Sequence, residues 1–321
     1  MNFGMKGKMV HFIRFRHILF PITIICLGVL LYSAIPEISA QETSSPKPEK
    51  KDTSESKQSL TPTNSKLDEE TPLTPPQMEI KFRLPEEKQL KRVVTNRAFG
   101  PGERLEFSVG YGVINAGTAV MEIPDMVKEE GRKCYHIVST AQSNKFFSVF
   151  FKVDDKVESF MESYGLYSLR YDKHLREGKF KSDVSMTFDQ ENHLALYNGG
   201  KDTFQVPEYV QDVLSAFYFV RTQDLEVGKS ILVDNHTDKK TYPLEVKVLR
   251  KEKVKVVAGE FNCFVVEPLL KTPGLFEQKG KLTVWLTDDE RKMPVLMKSK
   301  VIIGSISTEL VSYKLGEVGK Y

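Results

Sequence analysis

From Arg97 onward the chain is a succession of short runs in which apolar and polar residues alternate, and this period of two constrains the fold more than any other feature. The runs are "RLEFSVGYG", "GTAVMEI", "CYHIVSTAQ", "FKVDDKVESFM", "LYSLRYDKHL", "DVSMTFD", "YPLEVKVL", "KVKVVA", "CFVVEPLL", "KLTVWLT", "VLMKSKVII" and "ISTELVSYKL". Successive side chains on a strand point to opposite faces, so each run has one face to bury and one to solvate. Gly, Asp and Asn turns separate them. About a dozen such strands with almost no helix between them predict a mainly β fold, a single antiparallel sheet that curls into a barrel or half-barrel.

One segment breaks the pattern. "EYVQDVLSAFYFVRTQDLEVG" places Val210, Val213, Leu214, Phe217, Tyr218 and Val220 at helical spacing, with Asp212 as the cap and Gly228 closing the following turn. This predicts one amphipathic helix over 210–223, of about three turns, covering an open side of the sheet.

The residues ahead of this domain have a different texture. Residues 1–40 carry a basic start, an apolar run from Ile18 to Tyr32 and small residues Ser39 and Ala40 before Gln41, the pattern of a secretory signal. The alternative is an uncleaved inner-membrane anchor, since Ile18 to Ile35 is just long enough to span a bilayer although Pro21 interrupts it. Cys26 in "TIICLG" lacks the Leu and small residues that precede a lipidated cysteine. Residues 41–92, rich in Ser, Thr, Pro, Lys and Glu, have too little apolar surface to repay ordering and read as a disordered linker, with a proline-rich docking motif as the alternative. The β-rich domain is then 93–321.

The net charge is +3. Lys6, Lys8, Arg14 and Arg16 against Glu37 alone place that whole surplus in residues 1–40, so the remainder is neutral. A neutral domain offers no electrostatic basis for binding nucleic acid. Cys134 and Cys263 sit in strand-like apolar runs; they can pair in an oxidising compartment, but buried small hydrophobes is the favoured reading.

The candidate chemistry is sparse. Asp288, Asp289 and Glu290 follow the strand of Trp285 and precede Pro294; three adjacent carboxylates in a strand-to-strand connection point apart, so they read as a turn. Asp154 and Glu158 are four strand positions apart, about 13 Å, too far for a glycosidase pair, and Asp155 faces the other way. His136, His174, His193 and His236 are scattered without metal-ligand spacing. Ser215 lacks a nucleophile elbow, and Gly110, Gly112, Gly117, Gly199 and Gly200 lack the strand-to-helix setting of a phosphate loop. No cofactor or metal site is expected. Phe146, Phe147, Phe150 and Phe151 are the stronger lead: they are either core or the lip of an apolar pocket, with Tyr218 and Trp285 as further liners and Arg221 as an anchor for an acidic head group.

Taken together, "FGPGERLEFSVGYGVINAGTAVMEI", "FFKVDDKVESFM", "DVLSAFYFVRTQDLEVG", "VAGEFNCFVVEP" and "VWLTDDERKMPVLMKSKVIIGSISTEL" resemble a family of exported bacterial envelope proteins known only as a domain of unknown function. The resemblance covers about Ala98 to Leu315. It implies a single β-rich domain in the periplasm of Gram-negative bacteria, with no assigned reaction and no catalytic residue to carry over. The Trp285 strand, its acidic turn and Pro294 also look like a hairpin of periplasmic lipoprotein carriers, whose curved sheet holds acyl chains against a covering helix.

The favoured reading is therefore a non-catalytic periplasmic protein that binds or carries an apolar or acylated envelope ligand. An envelope assembly factor that binds another protein is the alternative, in which case the barrel is full and the apolar surface lies outside. A glycan hydrolase would need Asp154, Glu158, Asp288 or Asp289 to converge from different strands. Membrane contact is expected only through an uncleaved N-terminus.

Overall fold

A computed structural model describes residues 91–270, 281–300 and 304–319. The signal or anchor at 1–40 and nearly all of the linker at 41–92 lie outside the described residues, as do Val301, Ile302 and Ile303 of the run "VLMKSKVII". The strands, in chain order, are β1 (Glu103–Tyr111), β2 (Ile114–Ile123), β3 (Met126–Glu129), β4 (Arg132–Ser143), β5 (Asp154–Glu162), β6 (Ser168–Glu177), β7 (Phe180–Asp189), β8 (Leu194–Tyr197), β9 (Asp202–Gln205), β10 (Ser230–Thr237), β11 (Lys240–Val256), β12 (Gly259–Leu270), β13 (Lys281–Thr287), β14 (Pro294–Lys300) and β15 (Ser305–Lys314). Among the described residues the helices are α1 (Lys145–Ser148), one turn between β4 and β5, and α2 (Val213–Arg221), between β9 and β10.

All fifteen strands form one antiparallel sheet, ordered β10-β11-β12-β13-β14-β15-β1-β2-β4-β5-β6-β7-β8-β9 with β3 paired to β4. The predicted curled sheet with one covering helix is thus the fold, with more strands than the alternation revealed. β3, β8 and β9 are only four residues long, too short to display a period. β10 hides its alternation behind Asp234, Asn235 and His236, polar residues of which the last two are fully buried. Conversely, "YPLEVKVL" and "KVKVVA" belong to one strand, the 17-residue β11, whose pairing with β12 slips by one residue between Val248 and Arg250. A bulge of this kind bends a strand and lets it follow a curled sheet.

The alternation delivers a core on the concave face. On β1, Leu105, Phe107 and Val109 are buried while Arg104 stands in solvent. The sheet does not close by strand pairing, but its free edges come together at a seam. Lys239, on the β10–β11 turn, reaches Asp202 of β9 at 2.7 Å, its backbone N–H donates to the Tyr197 hydroxyl, and Lys173 of β6 pairs with Asp238 at 2.6 Å. The extended pair Val210–Gln211 fills the gap: Ser168 N–H donates to Val210 O, Gln211 N–H to Asp234 O, and His236 N–H to Gln211 O. An unpaired edge is a template for aggregation, and this arrangement covers one side of β10 with the chain's own backbone.

The helix α2 begins where Val210–Gln211 leaves the seam. Asp212 caps it, accepting from the N–H groups of Leu214 and Ser215 at 2.7 and 2.9 Å. Ser159 and Ser168 hydroxyls donate to its other oxygen at 2.6 and 2.5 Å. Four donors satisfy a carboxylate that is fully buried, which is what lets it stay there. Observed boundaries of 213–221 fall inside the predicted 210–223 because Val210 and Gln211 are spent on the seam.

Candidate functional site

Along one side of α2, Val213, Leu214, Phe217 and Val220 face a narrow cleft. Their spacing of one, three and three residues is the stripe a helix presents to a sheet. Opposite them stand residues two apart on successive strands: Leu244 and Val246 of β11, Val266 and Pro268 of β12, and Leu282, Val284 and Leu286 of β13, with Met297 of β14 and Met121 of β2 completing the walls. Among the described residues every lining side chain is apolar, and the cavity measures about 50 Å³. None of these side chains can move a proton or attack a bond. The cleft can accept only a few carbon atoms, since pockets for whole small molecules run to about 300–1,000 Å³.

The ends of α2 are pinned by buried polar contacts, so the cleft has fixed walls. Asp212 holds the first turn, as described above. At the other end Arg221 makes a two-pronged ion pair with Glu103 of β1, at 2.7 and 2.8 Å, and also donates to Ala98 O and Arg291 O. Both side chains are 0% exposed. Tyr218 packs edge-on against Phe99 with ring centroids 4.9 Å apart, and the Arg221 guanidinium lies 4.9 Å from the Tyr218 ring. Arg221 and Tyr218 therefore bind the helix to the strap before β1 and do not enter the cleft. This corrects the expected head-group anchor: an arginine already saturated by a carboxylate and two carbonyls has no free face for a ligand.

Trp285 is also displaced from its expected role. The cleft takes Leu282, Val284 and Leu286, so alternation puts Trp285 on the opposite face of β13. There its indole N–H donates to Glu252 and Lys298 lies 5.7 Å from the ring. The four phenylalanines divide in pairs. Phe147 and Phe151 turn inward over a shallow depression with Val109, Ala116 and Val153, whereas Phe146 and Phe150 are 63% and 60% exposed. None of them lines the cleft beside α2. Both cysteines are free and buried, with no disulfide between them; five strands separate β4 from β12 in the sheet. Burial pushes each thiol up to about 12.

The carboxylates that a hydrolase would use are held apart. Asp289 closes its turn, accepting from Thr287 Oγ1 and from the N–H groups of Arg291 and Lys292, while Asp288 pairs with Lys251 and Glu290 with Arg97. Glu158 is shared by His136 and Lys156, and Asp154 accepts from Gln142 at the other end of the sheet. Two titratable groups weighed in the sequence only as a carboxylate among three and a scattered histidine are buried and perturbed. Asp155, accepting from Arg176 N–H and facing Glu177, is pushed by burial up to about 7. His236, packed among Phe188, Tyr197 and Phe204, is lowered by burial to about 4.

The cleft residues were legible as strand alternation, but only as members of a core. Nothing in the sequence distinguishes an inward residue that meets another side chain from one that meets a gap. Their position along the sheet is informative: Leu282 stands opposite Ser299, Ser299 opposite Ile306, Ile306 opposite Tyr111 and Tyr111 opposite Ile114. The Leu282 end of the cleft is thus level with the β1–β2 turn, while Leu286, opposite Pro294, and Met121, opposite Leu105, carry the lining toward the other end of the sheet.

Solved structures align with this chain at low identity. A β-barrel-like protein of domain of unknown function DUF1849 from Brucella abortus aligns with a TM-score of 0.47 at 9% identity, over 71% of this chain and 100% of that one. A candidate lipoprotein from Parabacteroides distasonis aligns at 0.30 and 8% identity, and a candidate exported protein with a YmcC-like fold from Bacteroides fragilis at 0.26 and 13%; each covers 70% of this chain and 100% of its own. No curated protein matches the sequence. A family model described as protein of unknown function (DUF3108) matches residues 106–311, from β1 to β15, and the chain belongs to that family.

Proposed function

We propose that this protein is a non-catalytic component of the bacterial envelope that takes up the end of an apolar chain, such as the last few carbons of an acyl group, in the cleft between α2 and β11–β14. The observation that carries the reading is the apolar lining that the described residues give a cleft whose walls are fixed by buried polar contacts. A preformed apolar slot binds without first paying to order its walls. Its size limits the ligand to a chain end, with the remainder of the molecule outside.

Native mass spectrometry of the protein purified without detergent, followed by solvent extraction, tests the reading. A stoichiometric apolar molecule is expected on the unaltered protein and is expected to be lost from Val284→Phe, in which a ring fills the slot, while circular dichroism shows the fold retained. A protein that carries no such molecule, and takes up none when offered fatty acids of graded length, overturns it.

A further inference from the structure

Three connections meet at the end of the sheet that carries the β1–β2 turn and α1, and they spend their apolar residues outward. Phe146, Val149 and Phe150 on and after α1 are 63%, 79% and 60% exposed. Val113 and Ile114 on the β1–β2 turn are exposed beside them. The two connections are joined, with Asn144 Nδ2 donating to Asn115 O at 2.8 Å and Asn144 N–H to Ala116 O at 2.9 Å. The β6–β7 turn completes the group: Gly178 N–H donates to Lys152 O at 2.7 Å, and the Phe151 ring lies against Gly178.

This tip is built to hold its shape. Phe147 and Phe151 anchor it from inside, Asn144 Oδ1 accepts from Phe147 N–H at 2.9 Å, and Ser143 Oγ accepts from Val153 N–H. Such a frame fixes Phe146 and Phe150 in solvent, where a contiguous apolar patch marks a contact surface.

The charge of the tip says what that contact is. Lys145, Lys152, Lys179 and Lys181 are all exposed, and none forms an ion pair among the described residues. Segments 111–116, 143–153 and 178–181 contain no Asp or Glu at all, in a domain that is otherwise close to neutral. A convex apolar tip flanked by unpaired lysines matches a bilayer interface, where rings enter the acyl boundary and ammonium groups meet phosphates. A protein groove would instead be expected to supply alternating charge and pockets.

We propose that this tip docks the protein on an anionic phospholipid membrane. The proposal goes beyond the apolar slot and stands without it.

A fluorescent reporter at the tip provides the test on the full chain. Phe150→Trp places a second indole there, remote from buried Trp285. On adding vesicles of phosphatidylcholine with one quarter phosphatidylglycerol, its emission is expected to shift to the blue and to be quenched by brominated acyl chains. Half-saturation is expected to need at least tenfold more lipid after Lys145→Glu with Lys179→Glu, and also in vesicles of phosphatidylcholine alone. No shift or quenching on anionic vesicles overturns the proposal, including the case in which the chain is held on them only by residues 1–40. Equal quenching on neutral and anionic vesicles overturns the role of the lysines. A tip that stays in water with vesicles but is cross-linked in cells to another envelope protein overturns it in favour of a protein partner. Val284→Phe is expected to leave tip quenching unchanged, which separates this outcome from that of the slot.

Discussion

At the scale of single residues the molecule depends on a few buried polar groups, each with a definite partner. Removing one member of a buried ion pair leaves the other uncompensated, so Arg221→Met is expected to cost about 3–5 kcal/mol in urea unfolding, and adding Glu103→Leu is expected to recover part of that loss. Asp155 and His236 predict opposing pH effects. Asp155, with its carboxyl raised to about 7, stays protonated in the folded state where the unfolded chain has ionised, so its contribution to stability falls as pH rises from about 4 to about 7. His236, lowered to about 4, stays neutral in the folded state while the unfolded chain protonates below about 6.5, so its contribution rises with pH over about 4 to 6.5. The two slopes offset each other in the unaltered protein. Asp155→Asn is expected to unmask a stability that climbs across that interval, by about 1–3 kcal/mol, and His236→Gln one that declines; chemical denaturation at pH 4.5, 5.5, 6.5 and 7.5 reads both. Little of this was visible in sequence: Arg221 read as a free cation and Asp155 as one carboxylate among three, because the partners Glu103 and Glu177 come from distant positions.

At the scale of elements, local sequence decided most of what formed. The cap Asp212, the helical spacing after it and Gly228 marked α2, and Pro294 marked the start of β14 as it does in the structure. Asp212→Ala is expected to strip the cap and leave Ser159 and Ser168 without their acceptor, lowering stability by about 2–4 kcal/mol and raising amide exchange in α2 before the rest of the sheet. Gly117 shows a different constraint. A Cβ there would lie 2.1 Å from Gln142 O across the β2–β4 pairing, so Gly117→Ala is expected to part these strands and cost more than about 2 kcal/mol, seen as a lower melting temperature. The close approach arises from pairing, and no property of the run "GTAVMEI" announces it.

At the scale of the whole molecule the open question of the barrel is answered by a seam, and the seam is polar. Because Lys239–Asp202 is largely exposed, salt screens it, whereas Lys173–Asp238 is more sheltered. Lys173→Met is expected to raise hydrogen exchange in β8 and β9 more than Lys239→Met does, with β1 and β2 at the centre of the sheet unchanged. The family match and the single curled sheet with its covering helix agree with what the sequence implied. Alternation, turn residues and one helical stripe suffice for that much, because they act over a few neighbouring residues and specify which face of each element seeks the core. What only the tertiary structure decided is which inward faces meet a partner and which meet space. The cleft beside α2, the outward turn of Phe146 and Phe150, and the retirement of Arg221 and Trp285 into structural contacts all follow from strand order and register, which couple residues more than a hundred positions apart.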